Sequence, residues 1–194
     1  KDKILDPDDP LTMGAFAAPP YYMEIRQQLH EDLVASAEEI KDQYEKYHKY
    51  MGAEKEEHKF ESYDNGLVEY YGPSNPQTIL VALGSVAGTV KEVVDEHRKV
   101  GVLKLKVYRP FPAEEIEGII KKAKYVAVLD KSISLGNEGP VATDIKSLKS
   151  TRNIKAKVQS FIVGLGGRDI TKDMIKKIIK QVKNKKNETE FLGS

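Results

Sequence analysis

The apolar pattern in the middle of the chain changes from that of a strand to that of a helix and back. Thr78 to Leu83 form a short apolar run bounded by Gly84, as is typical of a strand buried on both faces. Val86 to Arg98 repeat valines at helical spacing opposite charged residues. A second strand is predicted over 102–108 and is stopped by Pro110. Because such a unit pairs its strands in parallel through a right-handed crossover, the segment predicts a parallel sheet with helices on its faces.

The elements on either side extend this sheet. Downstream we predict a helix over 112–122, a strand over 125–129, a helix over 141–149, a strand over 158–163 and an amphipathic, lysine-faced helix over 171–184. Upstream, Asn65-Gly66 lies between two aromatic-rich runs and predicts a β-hairpin, since this dipeptide readily adopts the positive φ of a tight turn. Four parallel strands and one hairpin strand indicate an α/β domain.

A long helix is predicted ahead of this domain, from Tyr22 to about Met51. Pro19 and Pro20 precede it and Gly52 is a suitable C-terminal cap. Its apolar stripe consists of Ile25, Leu29, Leu33, Ala37, Ile40, Tyr44, Tyr47 and Met51. Packing on the protein's own core is the commoner use of such a stripe. The stripe is narrow, however, so docking on another domain or subunit is the second interpretation.

Residues 1–20 are proline-rich and lack periodicity, so we expect an extended connector. The sequence begins with Lys1 rather than methionine, and we therefore expect a portion of a longer protein. A polar tail is expected at 188–194, in which Phe191 and Leu192 could dock on a neighbour.

Composition excludes several kinds of chemistry. The 194 residues carry a net charge of +1, which argues against a nucleic-acid partner or an anionic membrane surface. The absence of cysteine excludes disulfides, thiolate metal sites and iron–sulfur ligation by this chain. No apolar run reaches the roughly 20 residues that a bilayer crossing needs. We expect a cytoplasmic protein.

A candidate anion-binding edge follows from the predicted sheet. In parallel sheets, ligands bind at the carboxyl ends of the strands. There we expect Ser85, Arg109, Lys131 and Arg168, which together could hold a phosphate or carboxylate. The alternative, which we favour, is structural: Ser85 caps its helix and the arginines pair with acidic neighbours.

Other common sites are not supported. The glycines at 84–88 and 164–167 lack the dinucleotide-binding spacing, and neither a P-loop nor a G-x-S-x-G elbow occurs. The four histidines lack metal-site spacing, so we expect structural or solvent-facing roles for His30, His48, His58 and His97.

Several sequence blocks together carry a resemblance to a known family. They are LDPDDPLTMGAF, PPYYMEIRQQLHEDL, VEYYGPSNPQTILVALGSVAGTVKEVVDEHR, VGVLKLKVYRPFPAEEI, YVAVLDKSISLGNEGP and FIVGLGGRDIT. In these blocks the chain resembles the C-terminal half of the α subunit of pyruvate:ferredoxin oxidoreductase, in the 2-oxoacid:ferredoxin oxidoreductase family. The blocks cover most of the chain in order, and the set is more specific than any one of them.

The resemblance implies a fold and a domain plan. It implies a three-layer α/β/α sandwich on a mainly parallel five-stranded sheet, like the C-terminal domain of transketolases. Residues 1–20 would then connect to a missing N-terminal thiamine-binding domain, and 21–52 would be a docking helix. Residues 53–187 would form the transketolase-like domain.

The resemblance also implies that this chain belongs to an enzyme whose catalytic groups lie on other parts of the assembly. The family converts pyruvate and coenzyme A to acetyl-coenzyme A and carbon dioxide while reducing ferredoxin. Thiamine diphosphate, magnesium and [4Fe-4S] clusters would lie outside this chain, which would contact the β, γ and δ subunits. The alternatives are a stand-alone module that binds an anion or coenzyme A, and a fragment of another transketolase-like 2-oxoacid dehydrogenase.

Overall fold

The computed structural model describes residues 6–8, 10, 14, 16–52, 60, 62–184 and 189–193. Its helices are α1 (Tyr22–Met51), α2 (Val86–Asp95), α3 (Ala113–Ile120), α4 (Pro140–Thr151) and α5 (Lys172–Gln181). Its strands are β1 (Ser62–Asp64), β2 (Val68–Tyr71), β3 (Thr78–Leu83), β4 (Val100–Leu105), β5 (Tyr125–Asp130), β6 (Lys157–Val163) and β7 (Glu190–Leu192).

The seven strands found in the described residues belong to one mixed sheet, in the order β1-β2-β4-β3-β5-β6-β7. The strands β4, β3, β5, β6 and β7 pair in parallel, while β1 and β2 form an antiparallel hairpin whose second strand joins β4. The hairpin turns at Asn65, whose side-chain Oδ1 accepts from the backbone N–H groups of Leu67 and Val68. The predicted hairpin and parallel strands are therefore confirmed.

Alternate residues of each central strand face opposite sides of the sheet, and both sides are covered. On β3, Leu80 packs with the buried residues of α2 and α5, whereas Ile79 and Val81 pack with those of α3 and α4. All three side chains are fully buried. A strand buried on both faces has a continuous apolar sequence, which explains the run TILVAL. The predicted three-layer α/β/α sandwich is confirmed.

The sheet differs from the prediction in strand count and in some boundaries. The described part of the chain contributes seven strands instead of five, because β1 pairs beside β2 and because Glu190–Leu192, expected in a polar tail, pairs with β6. The strand predicted over 102–108 instead spans Val100–Leu105. It ends early because the backbone N–H groups of Lys106 and Val107 both donate to the carbonyl oxygen of Leu67, which closes the pairing with the hairpin.

Among the described residues, helix α1 contacts the sandwich only through its middle. Its partly covered residues fall between 36 and 44, and none of its side chains is buried. Ala37 and Ile40 pack on the α3/α4 side, and the Lys41 ammonium lies 2.9 Å from the Glu115 carboxylate. The predicted C-terminal cap is confirmed, since Gly52 has a φ of 57° and its N–H donates to the carbonyl of His48.

Tyr44 is the main aromatic contact of α1. The Lys106 ammonium lies 3.9 Å from the centre of its ring, and Gly66 lies so close that an added Cβ would sit 2.7 Å from the Tyr44 Cβ. Burial and a hydrogen bond with Asp64 raise the pKa of the Tyr44 phenol. Tyr44 thus fastens α1 to the β-hairpin.

Half of the predicted connector over 1–20, and residues 53–59 and 61, lie outside the described residues. None of the helices in the described ranges combines the length and the apolar character that a bilayer crossing requires.

Candidate functional site

The loops that follow β4, β3, β5 and β6 lie on one edge of the sheet, as predicted for parallel strands. This carboxyl edge carries Ser85, Arg109, Lys131 and Arg168. Ser85 is exposed and precedes α2, but its side chain makes no capping hydrogen bond. The structural role that we favoured for Ser85 is therefore wrong.

Arg109 is already engaged by its neighbours. Its Nη2 donates to Oδ2 of Asp144 at 2.8 Å, and its Nη1 donates to the carbonyl oxygen of Tyr108 at 2.9 Å. The guanidinium also lies 4.0 Å from the centre of the Tyr108 ring. Burial opposes the charge of Arg109, yet the hydrogen bond to Asp144 raises its pKa. For Arg109 the structure shows the acidic pairing that we favoured.

Arg168 has a different environment. It follows the tight turn that begins at Gly164 and is exposed to solvent. Among the described residues Arg168 forms no ion pair, so its charge is available to a ligand. Lys131 is also exposed, at the start of the loop after β5.

The two arginines line separate cavities. A cavity of about 230 Å³ is bounded by Arg109, Phe111, Asp144, Ser147, Leu148 and Thr151. A second cavity, of about 270 Å³, is bounded by Ile162, Leu165, Arg168, Phe191, Leu192 and Gly193. Neither cavity includes Ser85 or Lys131. The structure therefore places the four predicted residues on one edge without gathering them around one cavity.

The sequence analysis missed the role of Asp130, which ends β5. Its side chain is buried, with an exposed fraction of 3%. Its two carboxylate oxygens accept from the backbone N–H groups of Val141, at 3.2 Å, and Ala142, at 3.1 Å. These are unpaired donors in the first turn of α4, so Asp130 caps that helix from the neighbouring strand. Burial raises the pKa of Asp130 to about 6, against the opposing effect of the two N–H donors.

Gly139 completes this contact. A Cβ on Gly139 would lie 2.1 Å from the Asp130 Oδ2, so only glycine lets the carboxylate approach the helix. The loop between Asp130 and Gly139 is held further by an ion pair of Glu138 with Lys146. The block YVAVLDKSISLGNEGP therefore forms strand β5, a loop held by the Glu138–Lys146 ion pair, and the Asp130 cap of α4.

The described residues contain no group of three or more His, Asp or Glu side chains placed to hold a metal ion. His97 Nδ1 lies 2.9 Å from the carbonyl oxygen of Val93, in its own helix, and His30 and His48 are exposed. These three histidines have the structural or solvent-facing positions that were predicted. His58 lies outside the described residues.

Comparison with known proteins identifies relatives over nearly the whole chain. The chain is 41% identical over 194 aligned residues to pyruvate synthase subunit PorA of Methanocaldococcus jannaschii, covering 97% of this chain and 47% of that protein. It is 40% identical to the same subunit of Methanothermobacter thermautotrophicus, covering 98% of this chain and 47% of that protein. The chain thus spans about half the length of the curated relatives it matches.

A solved structure and a family model also match. The structure is a 2-oxoglutarate:ferredoxin oxidoreductase from Magnetococcus marinus with 2-oxoglutarate, coenzyme A and succinyl-CoA bound. It is 23% identical with a TM-score of 0.48, covering 61% of this chain and 20% of that one. The family model is pyruvate:ferredoxin oxidoreductase core domain II, which matches residues 77–175. That match takes in more than half of the 194 residues, and the chain belongs to the pyruvate:ferredoxin oxidoreductase core domain II family.

Proposed function

We propose that this chain is part of the α subunit of a cytoplasmic pyruvate:ferredoxin oxidoreductase, and that it serves there as a structural and subunit-contact domain. The family match and the identity to pyruvate synthase subunits support this assignment. In that role the chain joins the assembly that oxidatively decarboxylates pyruvate with coenzyme A and reduces ferredoxin. On its own the chain is catalytically inert.

The observation that carries the contact role is the exposed apolar surface on the first half of α1. Ile25, Leu29 and Leu33 repeat on one side of the helix and are each 42–52% exposed. Tyr22, at the start of α1, lies on the same side and is 54% exposed. We name these four residues the α1 stripe. Tyrosine and large aliphatic side chains on one exposed face are typical of surfaces that other protein covers.

The chain lacks the ligands for the iron–sulfur clusters of the family. A [4Fe-4S] cluster is held by cysteine thiolates, and the chain has no cysteine. The clusters therefore belong to the rest of the assembly, which includes the β, γ and δ subunits, and we assign thiamine diphosphate and magnesium to the same part as a further element of the proposal.

Reconstitution tests the assignment. The chain, the remaining half of the α subunit and the other subunits are mixed, and pyruvate- and coenzyme A-dependent reduction of ferredoxin is followed by absorbance. We expect activity only when this chain is present and associated, as shown by its elution with the other subunits. Full activity without this chain would overturn the proposal, as would turnover of pyruvate by the chain alone.

A matched pair of variants tests the α1 stripe. Leu29→Asp places a charge on the stripe, whereas Gln27→Asp places the same residue on the opposite side of the same helix, where Gln27 is exposed and donates a hydrogen bond to Glu31. We expect Leu29→Asp to abolish association and Gln27→Asp to preserve it. Equal association of the two variants would show that the stripe is not the contact surface.

The anion-binding edge remains a prediction for a second, stand-alone role. It is supported by Arg168, whose charge is unpaired among the described residues beside a cavity of about 270 Å³. Calorimetry with phosphate, pyruvate and coenzyme A tests it: a binding module gives saturable heat that Arg168→Ala removes, whereas a purely structural domain gives none.

A further inference from the structure

A row of lysines lies at the amino edge of the sheet, where the parallel strands begin. The backbone N–H of Gln77 donates to the carbonyl of Lys99 at 2.8 Å, Lys124 donates to Gln77 at 3.0 Å, and Lys157 donates to Lys124 at 3.0 Å. Neighbouring strands lie about 4.8 Å apart. The backbones of Lys124 and Lys157 are therefore one strand spacing apart, and Lys99 lies two spacings from Lys124.

More cations flank this row on the helix ends that reach the same edge. Arg98 follows α2, Lys121 and Lys122 follow α3, and Lys155 lies between α4 and β6. We name the seven cations the basic edge: Arg98, Lys99, Lys121, Lys122, Lys124, Lys155 and Lys157. Each of them is exposed, and within the described part of the chain none of them forms an ion pair.

The acidic groups close to this edge are occupied by other partners. Glu96 lies 2.6 Å from the Lys176 ammonium, and Glu117 lies 3.5 Å from the Arg152 guanidinium. Asp95 accepts a hydrogen bond from the Tyr71 hydroxyl at 2.5 Å. The basic edge therefore has no carboxylate of its own among the described residues.

Helix electrostatics explains only part of this charge. The C-terminal ends of α2, α3, α4 and α5 lie at this edge, and each helix end is equivalent to about half a negative charge. Four helix ends supply about −2 against seven cations. Because the net charge of the whole chain is only +1, the excess at this edge is matched by acidic residues elsewhere.

We propose that the basic edge binds an acidic protein transiently. Permanent subunit interfaces are rich in apolar and aromatic side chains and poor in lysine, which is the composition of the α1 stripe and not of the basic edge. A patch of exposed lysines instead accelerates association with a negatively charged protein surface, and the resulting complex dissociates readily. The basic edge and the α1 stripe are thus separate surfaces for different kinds of partner.

An acidic protein fits the chain better than a nucleic acid does. Nucleic-acid-binding domains usually have a pI above about 9. The pI of this chain is about 7.9, because acidic residues elsewhere on the chain nearly balance its cations. A long polyanion bound at the basic edge would extend over these acidic residues and be repelled by them. A compact acidic surface can contact the basic edge alone.

The test measures binding of a fluorescently labelled oligoglutamate to the native protein, purified with whatever chains accompany it. In Lys124→Glu/Lys157→Glu, both charges in the centre of the row are reversed. Lys46→Glu/Lys177→Glu is the matched control, since both lysines are exposed, unpaired among the described residues and outside the basic edge. Fluorescence anisotropy at low salt gives the dissociation constants.

We expect the central double variant to weaken binding about tenfold or more and the control to change it less than about twofold. The affinity of the unmodified protein should also fall steeply with salt. No binding, equal effects of the two double variants, or tighter binding of labelled duplex DNA than of oligoglutamate would each overturn the proposal. Pyruvate-dependent reduction of a small uncharged dye, measured on the same samples, tests the proposed function separately.

Discussion

Helices α1 and α5 share the same kind of apolar pattern, yet they end in opposite environments. In α5, Ile178 is fully buried and Ile179 is 3% exposed. In α1, Ile25 and Leu29 are 50% and 52% exposed. The repeat of apolar residues identifies the face that must be covered, but it does not identify what covers it.

The difference arises from the position of each helix in the topology. Helix α5 connects β6 to β7, which are parallel neighbours, so the crossover returns it to the sheet and buries its isoleucines. Helix α1 precedes the sandwich and, as far as the described residues extend, touches it only between residues 36 and 44. Its first half therefore gains nothing from the core of this chain.

The largest expected effect comes from removing core volume under α5. Ile178→Ala should lower the free energy of unfolding by about 3 to 4 kcal/mol, because it opens a cavity at a fully buried site. Urea unfolding followed by circular dichroism measures this loss. The exposed neighbour Lys177→Ala is the control and should change stability by less than about 0.5 kcal/mol. A loss below about 1 kcal/mol at Ile178 would contradict the contrast between the two helices.

The next effect concerns α4, a covered helix that is also tied to the sheet by the Asp130 carboxylate. The pKa of the Asp130 carboxyl is about 6 in the folded chain and 3.8 in its ordinary, unfolded environment. Between these two pH values the folded state therefore binds more protons than the unfolded state. Stability from this group is complete below pH 3.8 and is lost as pH rises through 6. The loss amounts to about 3 kcal/mol.

Asp130→Asn should remove this pH dependence, because the amide does not titrate. Urea unfolding at several pH values between 4 and 7 should give a flatter profile for the variant than for the unmodified chain. Asp173→Asn, in the exposed first turn of α5, is the control and should retain the wild-type slope. Parallel profiles for Asp130→Asn and the unmodified chain would show that Asp130 is already ionised throughout this range.

A smaller effect is expected where α1 does touch the sandwich. Tyr44→Ala removes the ring between Lys106 and Gly66 and its hydrogen bond with Asp64, and should cost about 1.5 kcal/mol. Hydrogen exchange should quicken in α1 while the core amides stay protected. Tyr47→Ala, at a side chain that is 57% exposed, should leave exchange nearly unchanged. If Tyr47→Ala loosened α1 as much as Tyr44→Ala, Tyr44 would not be the attachment point.

The smallest effect is expected on the α1 stripe in the chain alone. Leu29→Ala should change the free energy of unfolding by less than about 0.5 kcal/mol, because the Leu29 side chain is exposed and does not pack in the core. Urea unfolding of the isolated chain checks this. A loss above about 1 kcal/mol would mean that the chain covers the stripe itself.

The sequence analysis was most accurate for features that depend on a few adjacent residues. The apolar run at β3, the Asn65-Gly66 turn and the glycine cap of α1 each depend on a few adjacent residues, and each is confirmed. The strand β7 was missed because three residues are too short to show a period, and its pairing depends on the distant strand β6.

The candidate site was harder to predict because its contacts join residues that are far apart in sequence. Asp130 caps a helix that begins ten residues later, so no local capping motif reveals it. Ser85 has the usual residue type for a cap but the backbone conformation of a helix, with φ of −65° and ψ of −26°, and makes no capping bond. Parallel topology correctly placed the two arginines on one edge, but their side-chain partners and cavities depend on packing that periodicity does not encode.

The outermost strands of the sheet, β1 and β7, are only three residues long. Edges this brief expose few free backbone donors and acceptors, which disfavours strand-to-strand polymerisation between molecules. Overproduced without companion chains, the polypeptide should therefore form side-by-side helical oligomers rather than fibrils, and mild detergent should disperse them.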